Sequence, residues 1–142
     1  MGLTMLLLQD LPDEQILQKF ADRYPAVNTE QVMQFLSLLR ISADLALMLD
    51  RCLGQHDLLQ GRWWVLILLM REDDYRASPS DLAAKAGVSR ATMTGLIDGL
   101  IREKLVTRER DEVDRRQVMI ELTEAGQAKL DSVMPDYYQR VN

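Results

Sequence analysis

Apolar residues recur at intervals of three and four along the first half of the chain, which is the spacing of an amphipathic helix. The pattern predicts helices over residues 12–23, 29–53 and 60–72. Pro25 ends the first of these helices. Asn28 followed by Gln31 is typical of a capping box and marks the start of the second helix. The third helix is apolar almost throughout and is expected to be the central core helix.

The long second helix is apolar on more than one side. Its main stripe is widened by four further apolar residues, Leu38, Ile41, Leu45 and Leu49. A helix with this pattern is buried on more than one side. In a chain of 142 residues, burial against a second copy is the simplest explanation.

Residues 78–103 have the pattern of two short helices joined by a tight turn. Pro79 suits the first position of the first helix. Gly87 suits the left-handed position just past a helix end, and Ser89 suits the N-cap of the next helix. Val88 between them is expected to fill the angle between the helices. This arrangement is typical of a helix-turn-helix, whose second helix can enter a DNA major groove.

The second helix of this pair, the candidate recognition helix, runs from Arg90 to about Glu103. Its inner stripe consists of Met93, Ile97, Leu100 and Ile101. That phase leaves six residues pointing outward, Arg90, Ala91, Thr94, Gly95, Asp98 and Arg102.

Two strand-like segments follow, Val106–Arg110 and Gln117–Leu122. In the second segment apolar and polar positions alternate, as in a half-buried strand. The loop at residues 111–116 joins the segments into a charged hairpin, and a polar connector is expected at 73–77. Thr123 caps a last helix, which Pro135 is expected to kink or end.

The charge is unevenly distributed along the chain. The net charge is −5, but residues 85–118 hold eight basic and six acidic side chains. An acidic body with one basic face can bind phosphate through that face, while its acidic parts discourage indiscriminate binding. The distribution is compatible with DNA binding.

The remaining composition argues against several classes of protein. A single cysteine, Cys52, excludes a disulfide framework within one chain and is consistent with a reducing compartment. An apolar patch at Leu3 and Met5–Leu8 is too short for the core of a signal peptide, and no run is expected to reach membrane-spanning length. A cytoplasmic protein without a membrane partner is therefore expected.

The chain resembles the MarR family of bacterial transcriptional regulators over nearly its whole length and in the order of its elements. The most specific matches are Asp81-Leu82-Ala83, Gly87-Val88-Ser89, Thr92 to Leu100, Leu105-Val106, Arg108, Asp111, Asp114, Arg116, and Leu122-Thr123 with Gly126. The resemblance implies a homodimer on a pseudo-palindromic operator, controlled by a small, often phenolic ligand or by oxidation. The chain departs from the family at Gly95, where members often carry a basic residue, and Gly99 one turn on is also small.

The resemblance also implies how the chain is organised. The fold is expected to be mainly α with a small β-hairpin wing, as a winged helix-turn-helix flanked by dimerisation helices at both ends. Residues 1–142 then form one domain, with dimerisation helices in 1–58 and 123–142 and the DNA-binding lobe in 60–122.

Ten residues are candidates for DNA contact: Ser89, Arg90, Ala91, Thr92, Thr94, Gly95, Arg108, Arg110, Arg115 and Arg116. Ser89 is first of all an N-cap. Arg90 is the best candidate for a major-groove or phosphate contact, and a solvated surface arginine is the alternative. By resemblance, Arg115 at the tip of the wing inserts into a narrow minor groove, while Asp111 and Asp114 brace the loop. An ordinary charged turn is the alternative there.

Trp63 and Trp64 are adjacent on a helix, so they point in different directions. One is expected in the core, and the other could line a cleft for an aromatic ligand. Arg40 or Arg62 would accept the carboxylate of such a ligand. Simple packing is the alternative.

Cys52 and His56 are four residues apart, but two potential ligands do not make a closed metal site. Neither a metal nor a cofactor is therefore expected. A cysteine in an apolar helix is usually a small buried hydrophobe, and a thiol sensor is the alternative. The chain has no nucleophile–base constellation and no phosphate-binding glycine loop, so no enzyme is expected.

Together these patterns favour a sequence-specific DNA-binding transcriptional regulator. The family resemblance favours a repressor over an activator. It would be a cytoplasmic homodimer, nucleoid-associated when bound to DNA, that a small aromatic ligand releases. Two alternatives remain open. One is a winged-helix protein-interaction module with a degenerate DNA face, and the other is a thiol-based redox regulator acting through Cys52.

Overall fold

A computed structural model describes residues 9–142, which form helices followed by a helix-turn-helix and a small sheet. The apolar patch at Leu3 and Met5–Leu8, with the prediction made for it, lies outside the described residues. The elements are α1 (Glu14–Arg23), α2 (Thr29–Gly54), α3 (Gln60–Met70), β1 (Arg76–Ala77), α4 (Pro79–Ala86), α5 (Arg90–Arg102), β2 (Val106–Arg110), β3 (Val118–Leu122) and α6 (Glu124–Val141).

Capping side chains explain where most of these helices begin. In each case a side-chain oxygen accepts a hydrogen bond from a backbone amide in the first turn, which the helix itself leaves without a partner. The donor–acceptor pairs are Ile16 to Asp13 (2.9 Å), Gln31 to Asn28 (3.1 Å), Asp81 to Ser78 (3.1 Å), Thr92 to Ser89 (3.1 Å) and Gly126 to Thr123 (3.0 Å). These caps confirm the predicted starts of α2, α4, α5 and α6.

The chain divides into two compact units between Leu49 and Asp50. The described part of the first unit contains α1 and most of α2, and none of its residues is buried. Its exposed apolar side chains include Phe35, Leu38, Ile41 and Leu45. Together, α1 and α2 border an apolar cleft of about 420 Å³. Within residues 9–49 this unit therefore presents an apolar surface that its other described residues leave open.

By length and composition alone, α2 is apolar enough to cross a membrane, so the expectation that no run reaches that length was wrong. The apolar residues of α2 are interrupted by polar ones, which hides the length of the segment from a search for unbroken runs. Arg40 and Asp44 lie within it and form an ion pair, with Nε and Oδ2 3.4 Å apart.

The second unit contains the core. Its centre is α3, on which Trp63, Val65, Leu66, Leu68 and Leu69 are buried, as the apolar run predicted. Buried side chains from the other elements complete the core: Leu82, Met93, Ile97, Leu100, Val106, Ile120, Leu130 and Val133. The predicted inner stripe of α5 is thus confirmed, except that Ile101 is only half-buried.

The sheet has three antiparallel strands in the order β1-β3-β2. β2 and β3 form the predicted hairpin, with Val106 opposite Leu122 and Arg110 opposite Val118. β1, with Arg76 opposite Glu121, was missed because a two-residue strand is too short to show alternation. It pairs with β3 and so ties the connector before α4 to the base of the hairpin.

Two local features differ from what was expected. Pro135 was expected to kink or end α6, and the helix does not end there but continues to Val141. Val133 is buried before the proline, and Tyr137 packs against Trp63 after it with ring centroids 4.9 Å apart. Packing on both sides offsets the hydrogen bond that the proline removes. Val88 does not fill the angle between α4 and α5, since its side chain is 36% exposed.

Candidate nucleic-acid interface

The turn between α4 and α5 has the geometry that the sequence predicted. Gly87 adopts a left-handed conformation with φ of 69°, which glycine accommodates without strain. Its amide bonds to carbonyl oxygens of the last turn of α4, and the amide of Val88 donates to the carbonyl of Ala83 at 3.1 Å. This turn fixes the angle at which α5 leaves the lobe.

The N-terminal half of α5 presents an exposed face. All of the predicted contact residues on this helix are exposed: Ser89, Arg90, Ala91, Thr92, Thr94 and Gly95. The hydroxyl of Ser89 donates to that of Thr92 at 3.0 Å, and the hydroxyl of Thr94 donates to the carbonyl of Arg90 at 2.9 Å. These short side chains already have partners within the helix. The guanidinium of Arg90 makes no ion pair with any residue from Gln9 to Asn142.

The wing loop is held together by its own backbone and by one aspartate. The amide of Asp111 donates to the carbonyl of Gln117, and the amide of Gln117 donates to the carbonyl of Asp114, each at 2.9 Å. The Oδ1 atom of Asp114 accepts from the amide of Arg116 at 3.1 Å. Asp114 therefore contacts the loop backbone through its side chain, whereas Asp111 contributes through its backbone.

The tip of the wing carries cations that have no acidic partner within the described chain. Arg110, Arg115 and Arg116 are exposed and form no ion pair with residues 9–142. Arg116 also lines a cleft of about 340 Å³ together with Arg90, Thr94 and the start of α4. The cleft places one arginine of α5 and one of the wing beside the same open space, which is suited to an anion.

Arg108 has a partner that the sequence did not predict. Its Nη2 atom donates to Oδ1 of Asp98 at 3.1 Å, so β2 is tied to the outward side of α5. Both side chains are about half exposed. The sequence placed Asp98 on the outward face but gave no reason to pair it with Arg108, because the pairing depends on how the hairpin folds back.

The two glycines of α5 have different surroundings. A side chain at Gly95 would meet nothing within 4 Å, so this glycine faces open space. Gly99, one turn on, is buried. A Cβ atom there would lie 2.5 Å from Nη2 of Arg62.

The predicted ligand residues fall into two groups. Arg40 belongs to the first unit, where it pairs with Asp44 and with Oε1 of Gln9 at 3.4 Å. In the second unit Trp63 is 1% exposed and Trp64 is 44% exposed, with ring centroids 4.7 Å apart. The indole Nε1 of Trp63 is buried and has no hydrogen-bond partner among the described residues. One tryptophan therefore belongs to the core and the other lies at the surface, as expected.

Arg62 is already engaged. Its Nη1 donates to Oε1 of Glu103 at 3.2 Å. A ligand carboxylate would have to displace Glu103 to reach this guanidinium.

Cys52 is buried, with 1% of its surface exposed, which confirms the expected burial. Its Sγ lies 3.6 Å from Oδ2 of Asp136, and His56 Nε2 lies 3.0 Å from the same oxygen. Burial, with the neighbouring carboxylate as a smaller cause, raises the pKa of the Cys52 thiol. Because the thiolate is the reactive form, this environment disfavours a redox sensor. Among residues 9–142 no group of three or more His, Cys, Asp or Glu could hold a metal ion.

Asp136 connects α6 to the segment between α2 and α3. Besides His56, it accepts a bond from Arg140 Nε at 3.0 Å. The hydrogen bonds from His56 and Arg140 lower the pKa of the Asp136 carboxyl. A carboxylate whose pKa is lowered on folding stabilises the fold above its ordinary pKa and loses that contribution as the pH falls through the folded value.

We therefore expect the free energy of unfolding to fall more steeply between about pH 5 and pH 3 in the wild type than in Asp136→Asn. Urea unfolding at a series of pH values measures this difference. Asp131→Asn is the matched control, since Asp131 is exposed on the same helix and forms no ion pair with another described residue. Parallel pH profiles of the unfolding free energy for all three proteins would contradict the stabilising role assigned to the Asp136 carboxylate.

Comparison with known proteins gives consistent results. A family model described as "MarR family" matches residues 56–117. The HTH-type transcriptional repressor YetL of Bacillus subtilis (strain 168) is 33% identical over 135 residues, covering 95% of this chain and 81% of that protein.

Two solved structures have the same fold. AbsC, a MarR family transcriptional regulator from Streptomyces coelicolor, superposes with a TM-score of 0.76 at 28% identity, covering 81% of this chain and 77% of that one. CouR from Rhodococcus jostii RHA1, solved bound to p-coumaroyl-CoA, has a TM-score of 0.66 at 26% identity, covering 71% and 70%.

Proposed function

Because this chain belongs to the MarR family of DNA-binding transcriptional regulators, we propose that it represses transcription as a homodimer on a pseudo-palindromic operator. One observation carries the proposal. Arg90 at the start of α5 and Arg110, Arg115 and Arg116 of the wing are exposed and have no acidic partner within the described residues. The DNA face of a regulator needs such free cations.

The charge of these arginines matters because the chain as a whole carries a net charge of −5. Phosphate neutralisation supplies much of the affinity of a protein for DNA, and an overall acidic protein must concentrate its cations on one surface to obtain it. The alternative of a winged helix with a degenerate DNA face would not require these cations to remain unpaired. Their geometry therefore favours DNA over a protein partner.

The dimer is proposed to bury the apolar surfaces that a single copy leaves exposed. These surfaces are the faces of α1 and α2 with their cleft and the end of α6, where Tyr138 and Val141 are about half exposed. Residues 1–58 and 123–142 would then be dimerisation segments around the lobe at 60–122. A twofold axis places two copies of α5 about one turn of DNA apart.

A membrane explains α2 less well than a second copy does. The ion pair between Arg40 and Asp44 lies within the apolar stretch, and charged residues inside a bilayer are expensive. At a protein interface the pair can lie at the rim of the apolar surface. We accordingly propose a bacterial cytoplasmic protein that joins the nucleoid when it binds DNA.

Control by a small phenolic or aromatic ligand is part of the proposal. CouR is related in structure and was solved with p-coumaroyl-CoA. In the second unit the exposed ring of Trp64, which packs on the buried Trp63, offers an aromatic surface. Arg62 is the cation nearest to these two tryptophans in sequence. Its guanidinium would bind a ligand carboxylate in place of Glu103.

Arg115→Ala tests the role of the wing. We expect the affinity for the operator to fall about tenfold and the salt dependence of binding to become shallower by about two counterions per dimer, because each protomer loses one cation from the groove. Fluorescence anisotropy across a salt series, on a duplex selected by the wild type from genomic fragments, measures both quantities.

Arg71→Ala serves as the charge-matched control, since Arg71 is exposed at the end of α3, outside the helix-turn-helix and the wing. Unchanged affinity and slope in Arg115→Ala would remove the wing from the mechanism. Failure of the wild type to retain any genomic fragment would favour the protein-interaction alternative.

A further inference from the structure

Side chains of α3 and of the recognition helix, α5, lie against the backbone of the other helix at two glycines. A Cβ atom on Gly99 would lie 2.5 to 2.7 Å from three atoms of the Arg62 guanidinium. The guanidinium thus lies directly over the backbone of α5 at Gly99. One turn further along, Oε1 of Glu103 accepts a hydrogen bond from Arg62 Nη1 at 3.2 Å.

A second contact runs in the opposite direction between the same two helices. A Cβ atom on Gly61 of α3 would lie 2.9 Å from Cδ2 of Leu96. Each helix therefore contributes a glycine that receives a side chain of the other, Leu96 over Gly61 and Arg62 over Gly99. Both contacts join the end of a side chain on one helix to the backbone of the other, so a rotation of α5 about its own axis would disturb them.

The presence of glycine at position 99 needs this explanation. Its φ is not in the left-handed region, so the backbone conformation does not require glycine. It lies in the interior of a helix, where alanine would be favoured. What a larger residue would disturb is the guanidinium of Arg62.

We propose that Arg62, seated on Gly99 and held by Glu103, is a positioning residue that sets the rotation of the recognition helix against the lobe. The inference rests on the proposed DNA-binding function and concerns sequence recognition rather than overall affinity. A rotation of about 20° moves side-chain atoms on the surface of a helix by about 2 Å. That displacement breaks hydrogen bonds to base edges, whose geometry is strict, but leaves flexible cations able to follow phosphates.

The test is a double-mutant cycle on Gly99→Ala and Arg62→Ala, read as the ratio of operator affinity to affinity for a random-sequence duplex of the same length. The operator is the duplex that the wild type selects from genomic fragments. We expect each single substitution to lower the ratio about tenfold, and the double variant to be no worse than Arg62→Ala alone, because alanine at 99 disturbs nothing once the guanidinium is gone. The affinity of every variant for the random-sequence duplex should stay within about twofold of the wild-type value.

Gly95→Ala is the matched control, since it lies on the same helix and its added Cβ meets nothing within 4 Å. The effect of Gly95→Ala on the affinity ratio should be the same whether position 62 holds arginine or alanine. Additive effects of Gly99→Ala and Arg62→Ala on the ratio would overturn the proposal. An equal loss of operator and random-duplex affinity would overturn it as well, because that is what partial unfolding produces.

Amide chemical shifts separate this inference from the proposed function. Without DNA, Gly99→Ala should shift amide resonances along all of α5 in the wild-type background, and only near residue 99 in the Arg62→Ala background. Shifts confined to the neighbourhood of residue 99 in both backgrounds would reject the positioning role. This readout holds even if no genomic fragment is retained.

Discussion

Arg90→Ala should weaken operator binding at least about thirtyfold. Arg90 is the first residue of α5, is exposed, and has no ion-pair partner in the described chain. An arginine that donates two hydrogen bonds to a guanine edge contributes about 1–3 kcal/mol, and a symmetric dimer loses that contribution twice. Binding to random DNA should fall much less, since only a phosphate contact is lost there. Anisotropy titrations on both duplexes at one fixed salt concentration give the two losses.

Arg102→Ala is the control for that experiment. Arg102 is an exposed arginine at the other end of the same helix, and its replacement by alanine removes the same charge. Recognition helices contact bases mainly through their N-terminal residues, so Arg102→Ala should cost only the small loss common to any removed cation. Equal losses in the two variants would mean that Arg90 acts through its charge alone.

The largest effect on stability is expected at the junction between the sheet and α6, in Gly126→Ala. A Cβ atom there would collide with the carbonyl oxygen of Leu105 and lie 2.6 Å from Cδ1 of Leu122. The carbonyl cannot move freely, because it accepts the amide of Thr123 at 3.1 Å. Thr123 Oγ1 in turn donates to the carbonyl of Lys104 at 2.8 Å while capping α6.

The backbone therefore has to shift to admit one methyl group. We expect a loss of about 3 kcal/mol, at the upper end of what overpacking costs, and a fall in the melting temperature of about 10 °C. Urea and thermal unfolding followed by circular dichroism measure both. Gly95→Ala is the matched substitution, and it should stabilise the protein by about 0.5–1 kcal/mol because the site is open and helical. A Gly126→Ala protein as stable as the wild type would contradict the packing at this junction.

The features that the sequence predicted correctly depend on short-range signals. The N-caps at Ser78, Ser89 and Thr123 and the left-handed Gly87 are each determined by a few neighbouring residues. The hairpin followed from alternation over five positions. These signals give the order of elements and the exposed face of α5, and with them the family.

What the sequence did not predict depends on contacts between distant parts of the chain. The pairing of Arg108 with Asp98 and the role of Asp136 required the hairpin and α6 to be in place first. The contact between Gly99 and Arg62 was not foreseen, because periodicity alone does not reveal which neighbour approaches a helix most closely. The continuation of α6 past Pro135 likewise depends on Trp63, more than seventy residues earlier in the chain.

The bond between Arg108 and Asp98 has a consequence for the target sequence itself. If α5 and the wing read each half-site as proposed, this bond would help to hold the two at a fixed interval along the duplex. Inserting or deleting a single base pair between the stretch read by α5 and the stretch read by the wing would put one of them out of phase. Each half-site should therefore tolerate changes of base at many positions but no change in its internal spacing.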